Sequence, residues 1–188
     1  QLYCKSLYAS IQNFNKQTMR CLKNKSEDEF VEHILRVYTL EDRRETYDVV
    51  TIDPRDSKDF DDGFSFKING KTGTGTLSVY ISNVSIWMDT LDLWESFSNR
   101  IATIYLPDRK RPMLPTILSD ALCSLQENRP RFAFTLDIII DLKTFEILDT
   151  RFLNTAIRVR RNLRYDTEEQ SNDIAYRKTL PIVQHLNK

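Results

Sequence analysis

Apolar residues follow a helical period in the first part of the chain and a strand period afterwards. Within residues 2–40, apolar positions recur at the spacing of one helix face. They include Phe30, Val31, Ile34, Leu35 and Val37. The sequence Ser26-Glu27-Asp28-Glu29 precedes them as a capping box, whose side chains satisfy the free N–H groups at a helix start. We therefore predict that residues 1–46 form a helical lead-in.

Five later segments are rich in β-branched and aromatic residues, which is typical of strands. These segments are Tyr47–Ile52, Phe64–Ile68, Leu77–Ile81, Phe132–Ile140 and Phe145–Val159. The sequence NGKTGTG at residues 69–75 predicts a turn between the second and third of them. Because such short connections join neighbouring strands, we expect the pairing to be mostly antiparallel.

The segments between and after the strands predict helices. They are Leu91–Ile101, Thr116–Leu125 and Asp166–Asn187, the last interrupted or kinked at Pro181 because proline lacks a backbone N–H. Residues 105–115 (YLPDRKRPMLP) are predicted to be irregular, because three prolines each fix φ and remove a donor. The order predicts an α+β fold, a mostly antiparallel sheet flanked by helices.

Composition narrows the class of protein. Lys and Arg together number 27, as do Asp and Glu, so any nucleic-acid surface must be a local one. Three cysteines without a CxxC pair argue against a zinc or disulfide framework. No apolar run reaches membrane-spanning length, and no secretory signal is recognised. We expect an intracellular, cytoplasmic protein without a membrane partner, the nucleus being the alternative compartment.

The segment TIDPRDSKDFDDGFSF, residues 51–66, concentrates negative charge between two predicted strands. Its aspartates Asp53, Asp59, Asp61 and Asp62 lie on a short loop, where like charges raise one another's pKa and cost stability. A hard divalent cation removes that cost, and Mg²⁺ binds carboxylates while keeping positions for water and substrate phosphate. Two such ions about 4 Å apart can clamp the attacking and leaving oxygens of phosphoryl transfer.

Two other interpretations compete with a catalytic metal site. If a calcium-binding EF-hand loop began at Asp59, its fifth and twelfth residues would be Gly63 and Gly70, so the calcium pattern fails. The pair Asp62-Gly63 is also good chemistry for a hairpin turn. A turn alone does not account for the aspartates around Phe60, and the turn and the metal site both remain open at this point.

Three further segments follow the acidic one in order: LSVYISNVSIWMD, RIATIYLPDRKRPMLPTILSDALCSLQENRPRFAFTLDI and NTAIRVRRNLRYD. Together with the acidic segment they resemble the RNB catalytic domain of the ribonuclease II / ribonuclease R family. The resemblance runs from about Tyr47 to Asp166. It implies a magnesium-dependent 3′→5′ exoribonuclease that hydrolyses single-stranded RNA to nucleoside 5′-monophosphates by a two-metal mechanism, with Mn²⁺ as a substitute ion.

The resemblance also implies roles for individual residues. It makes Asp53, Asp59, Asp61 and Asp62 the metal-site carboxylates, and Asp61 the catalytic one, on which cleavage depends while RNA binding does not. It makes Tyr105 the aromatic residue that packs against RNA near its 3′ end. Without the resemblance, a core aromatic before a proline-rich loop is the alternative for this tyrosine.

Two groups of basic residues are candidate contacts for RNA phosphates. The first, Arg109, Lys110 and Arg111, lies in the proline-rich segment. The second lies on and just after the last predicted strand and consists of Arg158, Arg160, Arg161 and Arg164. Phosphate contacts would make RNA binding depend on salt. A solvated charged face is the alternative for each of these residues.

The family's catalytic domain continues beyond the equivalent of Lys188, so the resemblance implies a partial RNB domain. We divide the chain into the lead-in 1–46, the N-terminal half of the catalytic domain at 47–165, and a helix at 166–188 that leads into the second half. That second half and the family's OB-fold RNA-binding modules are the expected partners besides RNA. The alternatives are a non-catalytic RNA-binding or scaffold remnant and a calcium-binding structural module.

Overall fold

The computed structural model describes residues 27–90, 94, 102–108, 110–111, 113–114 and 117–187. For residues 27–30, 105, 110, 111 and 117 it describes the backbone alone. Residues 1–26 of the predicted helical lead-in lie outside the described residues, and with them Cys4 and Cys21. Most of the predicted helix at 91–101 also lies outside them. Cys123 is a buried free thiol.

The elements follow the predicted order. The strands are β1 (Glu41–Asp42), β2 (Val49–Asp53), β3 (Asp62–Asn69), β4 (Thr74–Ser82), β5 (Ile104–Tyr105), β6 (Lys110–Arg111), β7 (Pro130–Asp141) and β8 (Ile147–Arg164). The helices are α1 (Glu27–Val37), α2 (Val84–Thr90), a π-helix (Ile117–Cys123), α3 (Glu168–Asn172) and α4 (Ile174–Leu186). All five predicted strands are confirmed, whereas α2 was not predicted. None of the helices in the described ranges is long and apolar enough to cross a membrane.

The pairing of the strands closes the main sheet on itself. β2, β3, β4, β7 and β8 form successive antiparallel pairs, and β8 then returns to pair with β2 in parallel. β8 reaches both neighbours because it has 18 residues: 147–158 pair with β7, and 159–164 pair with β2. β1 adds a second parallel pairing to β8. The predicted α+β fold with a mostly antiparallel sheet is confirmed, and the two parallel pairings are an addition.

Helices cover the sheet at two places. One apolar cluster joins α1, α2 and the π-helix to β7 and β8, and its members include Ile34, Trp87, Leu118, Phe132 and Ala156. α4 packs elsewhere, through Ile182 onto Leu77 of β4 and Ile140 of β7. These two contacts bury the apolar faces that the sheet and the helices would otherwise expose to water.

A charged pair is buried within the sheet. Arg43 and Asp137 are both fully buried and share two hydrogen bonds, of 2.8 and 2.7 Å. The hydroxyl of Ser78 donates to the same carboxylate at 2.6 Å, and the ring of Tyr47 lies 4.3 Å from the guanidinium of Arg43. Buried charges of this kind are tolerated only when they are paired and hydrogen-bonded, as they are here.

The prediction that residues 105–115 contain no regular structure is wrong in part. Tyr105 pairs with Lys110, and Ile104 pairs with Arg111, as the short ladder of β5 and β6. The reason is that Pro107 lies in the connection between the two strands, where its missing N–H disturbs no pairing.

The predicted break of the C-terminal helix at Pro181 is also wrong. The break lies at Asp173, whose extended backbone ends α3 and whose carboxylate accepts the N–H groups of Ala175 and Tyr176 at the start of α4. Pro181 lies inside α4 on an exposed position. A side-chain cap that satisfies two N–H groups decides where α4 begins, and the proline removes only one hydrogen bond.

Candidate active site at the β2–β3 loop

The four aspartates of the acidic segment surround one connection between two strands. Asp53 is the last residue of β2 and Asp62 is the first residue of β3, while Asp59 and Asp61 lie in the loop between them. Because β2 and β3 pair antiparallel, both ends of this loop leave the sheet at the same end. All four predicted metal ligands therefore lie on, or at the ends of, one connection at one end of the sheet.

Hydrogen bonds from a distant segment anchor the loop. Phe60 is buried, its N–H donates to Oγ of Ser124 at 3.1 Å, and its C=O accepts the N–H of Leu125 at 2.8 Å. The Ser124 hydroxyl in turn donates to the C=O of Lys58 at 3.2 Å. These bonds anchor the loop to the segment around Ser124, and none of them involves a carboxylate.

Asp53 is the buried member of the acidic group. It is 8% exposed, and its Oδ2 has no hydrogen-bond partner. Burial raises the pKa of its carboxyl, a hydrogen bond from Thr51 lowers it, and the charges of Asp62 and Asp61 raise it further; the net shift is upward. A buried oxygen without a donor costs on the order of 1–3 kcal/mol. A proton or a cation at Oδ2 would remove that cost.

Arg164 links the two ends of the acidic loop. It is the register partner of Asp53 in the β2–β8 pairing, and its charge acts to lower the pKa of that carboxyl. Its Nη1 donates to the C=O of Pro54 at 3.1 Å, and its guanidinium lies 5.1 Å from the ring centroid of Phe60. The second distance is that of a cation–π contact. Its guanidinium thus contacts the protein at both ends of the loop.

The other arginines of the second basic group also contact the protein. Arg160 donates to the carboxylate of Asp173 at 3.0 Å, and Arg161 approaches the same carboxylate at 3.9 Å. Arg158 donates to the C=O of Asn128 at 3.2 Å. These contacts fasten β8 to its neighbours, which favours the structural interpretation of this group over phosphate binding.

A pocket of about 260 Å³ opens beside the acidic loop. Its lining consists of the polar residues Asp59, Asp61, Ser82, Thr103 and Ser119 and the apolar residues Ile81, Val84, Met113 and Leu114. The N–H of Ser82 donates to the C=O of Asp61 at 2.8 Å, which fixes this side of the loop to β4. The three hydroxyl residues come from separate segments, so no motif in the sequence could have indicated them.

The donor set fits a hard divalent cation such as Mg²⁺ or Mn²⁺. Carboxylate oxygens are the ligands that these ions prefer. Oδ2 of Asp53 is a buried carboxylate oxygen without a hydrogen-bond partner. Within the described ranges, no three His, Cys, Asp or Glu side chains are already arranged as a metal site. Mg²⁺ does not need such a set, because it keeps several waters and is commonly held by one or two carboxylates and substrate phosphates.

The predicted RNA contacts Tyr105 and Arg111 lie on β5 and β6, and the structure describes only their backbone. Arg109 lies outside the described residues. Thr103 precedes β5 and Met113 follows β6, and the N–H of Met113 donates to Oγ1 of Thr103 at 3.1 Å. Both residues line the pocket, so the β5–β6 ladder lies beside it. The RNA-binding roles of Tyr105, Arg109 and Arg111 stay predictions.

Known proteins resemble the same region of the chain. Ribonuclease R of Chlamydia muridarum is 34% identical over 136 residues, which are 70% of this chain and 19% of that protein. DIS3-like exonuclease 2 of Schizosaccharomyces pombe is 33% identical over 120 residues, which are 62% of this chain and 13% of that protein. The chain thus spans less than a fifth of the length of either relative.

Solved structures share the fold. Mycoplasma genitalium RNase R in complex with double-stranded RNA matches 89% of this chain and 30% of its own, with a TM-score of 0.63 and 23% identity. Yeast Ssd1, a pseudonuclease, matches 76% of this chain and 18% of its own, with a TM-score of 0.64 and 16% identity. The sequence model of the RNB domain matches residues 41–176, which is most of the chain. This chain therefore belongs to the RNB domain family.

Proposed function

We propose that this chain is the metal-holding part of a magnesium-dependent 3′→5′ exoribonuclease that hydrolyses single-stranded RNA to nucleoside 5′-monophosphates by a two-metal mechanism. The observation that carries the proposal is the anchored loop with Asp53, Asp59, Asp61 and Asp62, in which Oδ2 of buried Asp53 lacks a partner. Membership of the RNB family and the names of its relatives, ribonuclease R and an exonuclease, support the same class of reaction.

The carboxylates differ in burial, and this difference suggests a separate role in metal binding for each. Asp53 would hold an ion through its partnerless Oδ2, inside the protein. Asp59 and Asp61 line the pocket and would present their carboxylates to an ion beside the substrate phosphate. When bound, Mg²⁺ neutralises phosphate charge and lowers the pKa of a bound water. Asp61 is the carboxylate on which we expect cleavage to depend.

The β5–β6 ladder would guide RNA to the pocket. Tyr105 would stack on a base near the 3′ end, a contact of about 1–3 kcal/mol per base that requires no particular sequence. Arg109 and Arg111 would contact phosphates and make binding sensitive to salt. The second half of the catalytic domain and the OB-fold modules are the further partners that we expect.

Mn²⁺ binding and RNA digestion test the proposal. We expect this chain to bind Mn²⁺, as measured by electron paramagnetic resonance, and to bind it at least tenfold more weakly after Asp53→Asn. With 5′-labelled single-stranded RNA, a ladder of shortening products that needs Mg²⁺ and disappears with Asp61→Asn would support hydrolysis at this loop. Equal Mn²⁺ binding by the chain and its Asp53→Asn variant would refute the site.

A non-catalytic RNA-binding or scaffold protein of the same fold is the second candidate. The observation in its favour is that the carboxylates of the described residues form no ready metal site. This candidate predicts that Asp61→Asn alters neither Mn²⁺ binding nor RNA degradation, while RNA binding in a gel-shift assay remains.

A further inference from the structure

One edge of β8 has no neighbouring strand at residues 147–154 in the described part of the chain. Residues 147–158 pair with β7 along one edge, while β1 and β2 pair with the opposite edge only at 155–156 and at 159–164. The side chains beside this open edge include large apolar ones. Ile147, Leu148 and Phe152 are 50%, 55% and 67% exposed. An apolar strand edge is thus left open to solvent.

The backbone groups of this edge point away from β7. The C=O of Ala156 accepts the N–H of Arg43, on the side of β1, at 2.8 Å. Residues of an antiparallel ladder direct their N–H and C=O groups alternately to one side and the other, and the register from 149 to 158 is regular. Phe152 and Thr150 therefore direct theirs to the same edge as Ala156. The N–H of Thr150 donates there to the carboxylate of Asp149, at 2.9 Å.

The segment ILDTRFLN at 147–154 lacks two common protections of an edge strand. Natural edges are often blunted by lysine or proline, and this segment contains neither. The irregularity in its ladder with β7 lies at its beginning, opposite Ile139 and Ile140, and the strand continues beyond it. Its two charged residues, Asp149 and Arg151, have opposite signs. The edge is therefore suited to pairing with another strand.

The order of residues along this edge is complementary to itself. When two copies pair antiparallel around Thr150, Asp149 of each copy lies opposite Arg151 of the other. Centring the pair on Asp149 or on Arg151 would place like charges opposite each other, which destabilises a sheet. The pairs at the two ends are apolar. They are Leu148 with Phe152 and Ile147 with Leu153.

We propose that this chain forms a two-fold symmetric dimer in which β8 of one copy pairs antiparallel with β8 of a second copy over residues 147–153. The axis passes beside Thr150, so every contact occurs twice. On pairing, the N–H of Thr150 exchanges the carboxylate of Asp149 for the C=O of Thr150 in the second copy. That carboxylate then faces Arg151 of the second copy, and the two sheets become one.

Two side chains of this edge are already held in place. Phe152 stacks on Phe134 of β7, with ring centroids 5.9 Å apart and planes at 15°. Arg151 lies 3.3 Å from Asp137, and its side chain remains 56% exposed. Side chains that are held before association lose less rotational freedom when they become buried. Both therefore favour pairing with a second copy.

Sedimentation velocity over a range of concentrations tests the proposal, and we expect the original chain to show a monomer–dimer equilibrium. Asp149→Arg and Arg151→Glu each place like charges opposite each other twice, so each should weaken the dimer about tenfold. A one-to-one mixture of the two variants restores opposite charges in both pairs and should regain the original affinity. Lys178→Glu is the matched control: Lys178 is exposed on α4, away from this edge, and its reversal should change nothing.

Cysteine cross-linking tests the register, in a background that carries Cys4→Ser and Cys21→Ser. Opposed residues of an antiparallel pair have Cα atoms about 5 Å apart, which a disulfide can span. Thr150→Cys should therefore give a covalent dimer under mild oxidation. Ile147→Cys should not, because Ile147 would lie opposite Leu153 and about 20 Å from its own copy.

The outcomes decide the proposal without Mn²⁺ or RNA, so it stands or falls separately from the proposed function. A chain that is monomeric at every concentration would overturn it. So would a dimer that withstands both charge reversals, or one that Lys178→Glu weakens as much, since the contact would then lie elsewhere. Equal cross-linking of Thr150→Cys and Ile147→Cys would refute the register. If a charge variant does not fold, the cross-linking decides.

Discussion

Replacing Asp137 by asparagine removes the fully buried charge that pairs with Arg43. Both side chains are fully buried and are joined by hydrogen bonds of 2.8 and 2.7 Å. Burial opposes the charge of Arg43, but the bonds to Asp137 and Glu41 and the contact with Tyr80 together outweigh it and raise the pKa of the guanidinium. Arginine is not deprotonated in proteins, so Arg43 stays charged in the Asp137→Asn variant. Its remaining charged partner is Glu41, 2.8 Å from Nε, which is half exposed to solvent.

The expected loss of stability follows from the removal of this buried counter-ion. Breaking one side of a buried ion pair costs about 3–5 kcal/mol, whereas a domain of ordinary stability has about 5–15 kcal/mol in total. Replacing both partners by apolar residues of similar volume is often neutral or stabilising. We therefore expect the double variant Arg43→Met, Asp137→Leu to unfold at a higher urea concentration than Asp137→Asn alone.

Urea unfolding followed by tryptophan fluorescence measures these differences, because buried Trp87 packs on Phe132 with ring centroids 5.7 Å apart. Asp42→Asn is the matched control. It breaks the pair between Asp42 and Arg44, which is 2.7 Å long with Asp42 exposed to solvent. Exposed pairs contribute about 0–1 kcal/mol, so the control should change little.

The contribution of Asp137 to the free energy of unfolding should decrease at acidic pH. Burial would raise the pKa of Asp137, but hydrogen bonds from Arg43 and Ser78 outweigh it and hold the pKa below its ordinary value. A carboxyl with a lowered pKa stabilises the fold above its unfolded pKa of about 4, and this is lost as the pH falls through the folded pKa. Asp137→Asn should lack this part of the acid unfolding. A loss below about 1 kcal/mol, or a double variant less stable than the single one, would refute the reasoning.

Three further changes have expected outcomes. Ser124→Ala leaves the buried N–H of Phe60 without an acceptor, so urea unfolding should show a loss of about 1–3 kcal/mol together with weaker Mn²⁺ binding; unchanged binding would mean that the loop does not need this anchor. Gly75→Ala places a Cβ 2.5 Å from Cζ of Phe66, so we expect a lower melting temperature and a loss of about 1–3 kcal/mol. Pro181→Ala allows a missing hydrogen bond inside α4, so it should raise the melting temperature, by part of the ~3 kcal/mol that proline costs a helix interior; a lower value would contradict the assignment.

Local patterns in the sequence were sufficient to predict the strands and to locate the acidic loop. The alternation at 64–68 and the turn residues at 69–75 predicted β3, β4 and their antiparallel pairing, because side-chain period and turn chemistry act between neighbouring residues. The aspartates at 53–62 could also be recognised as a group from the sequence. They lie within one connection, so chain continuity alone keeps them together.

Tertiary structure decided the features that join distant parts of the chain. The parallel pairing of β2 with β8, the burial of Arg43 against Asp137, and the contact of Asn162 with Thr51 all link residues 90 or more positions apart. Hydrophobic period indicates which face of a strand is buried, but it does not indicate which strand lies beside it. The positions of the aspartates along the chain are thus a local property of the sequence. The burial of Asp53 and its pairing with Arg164 exist only once β8 has folded back onto β2.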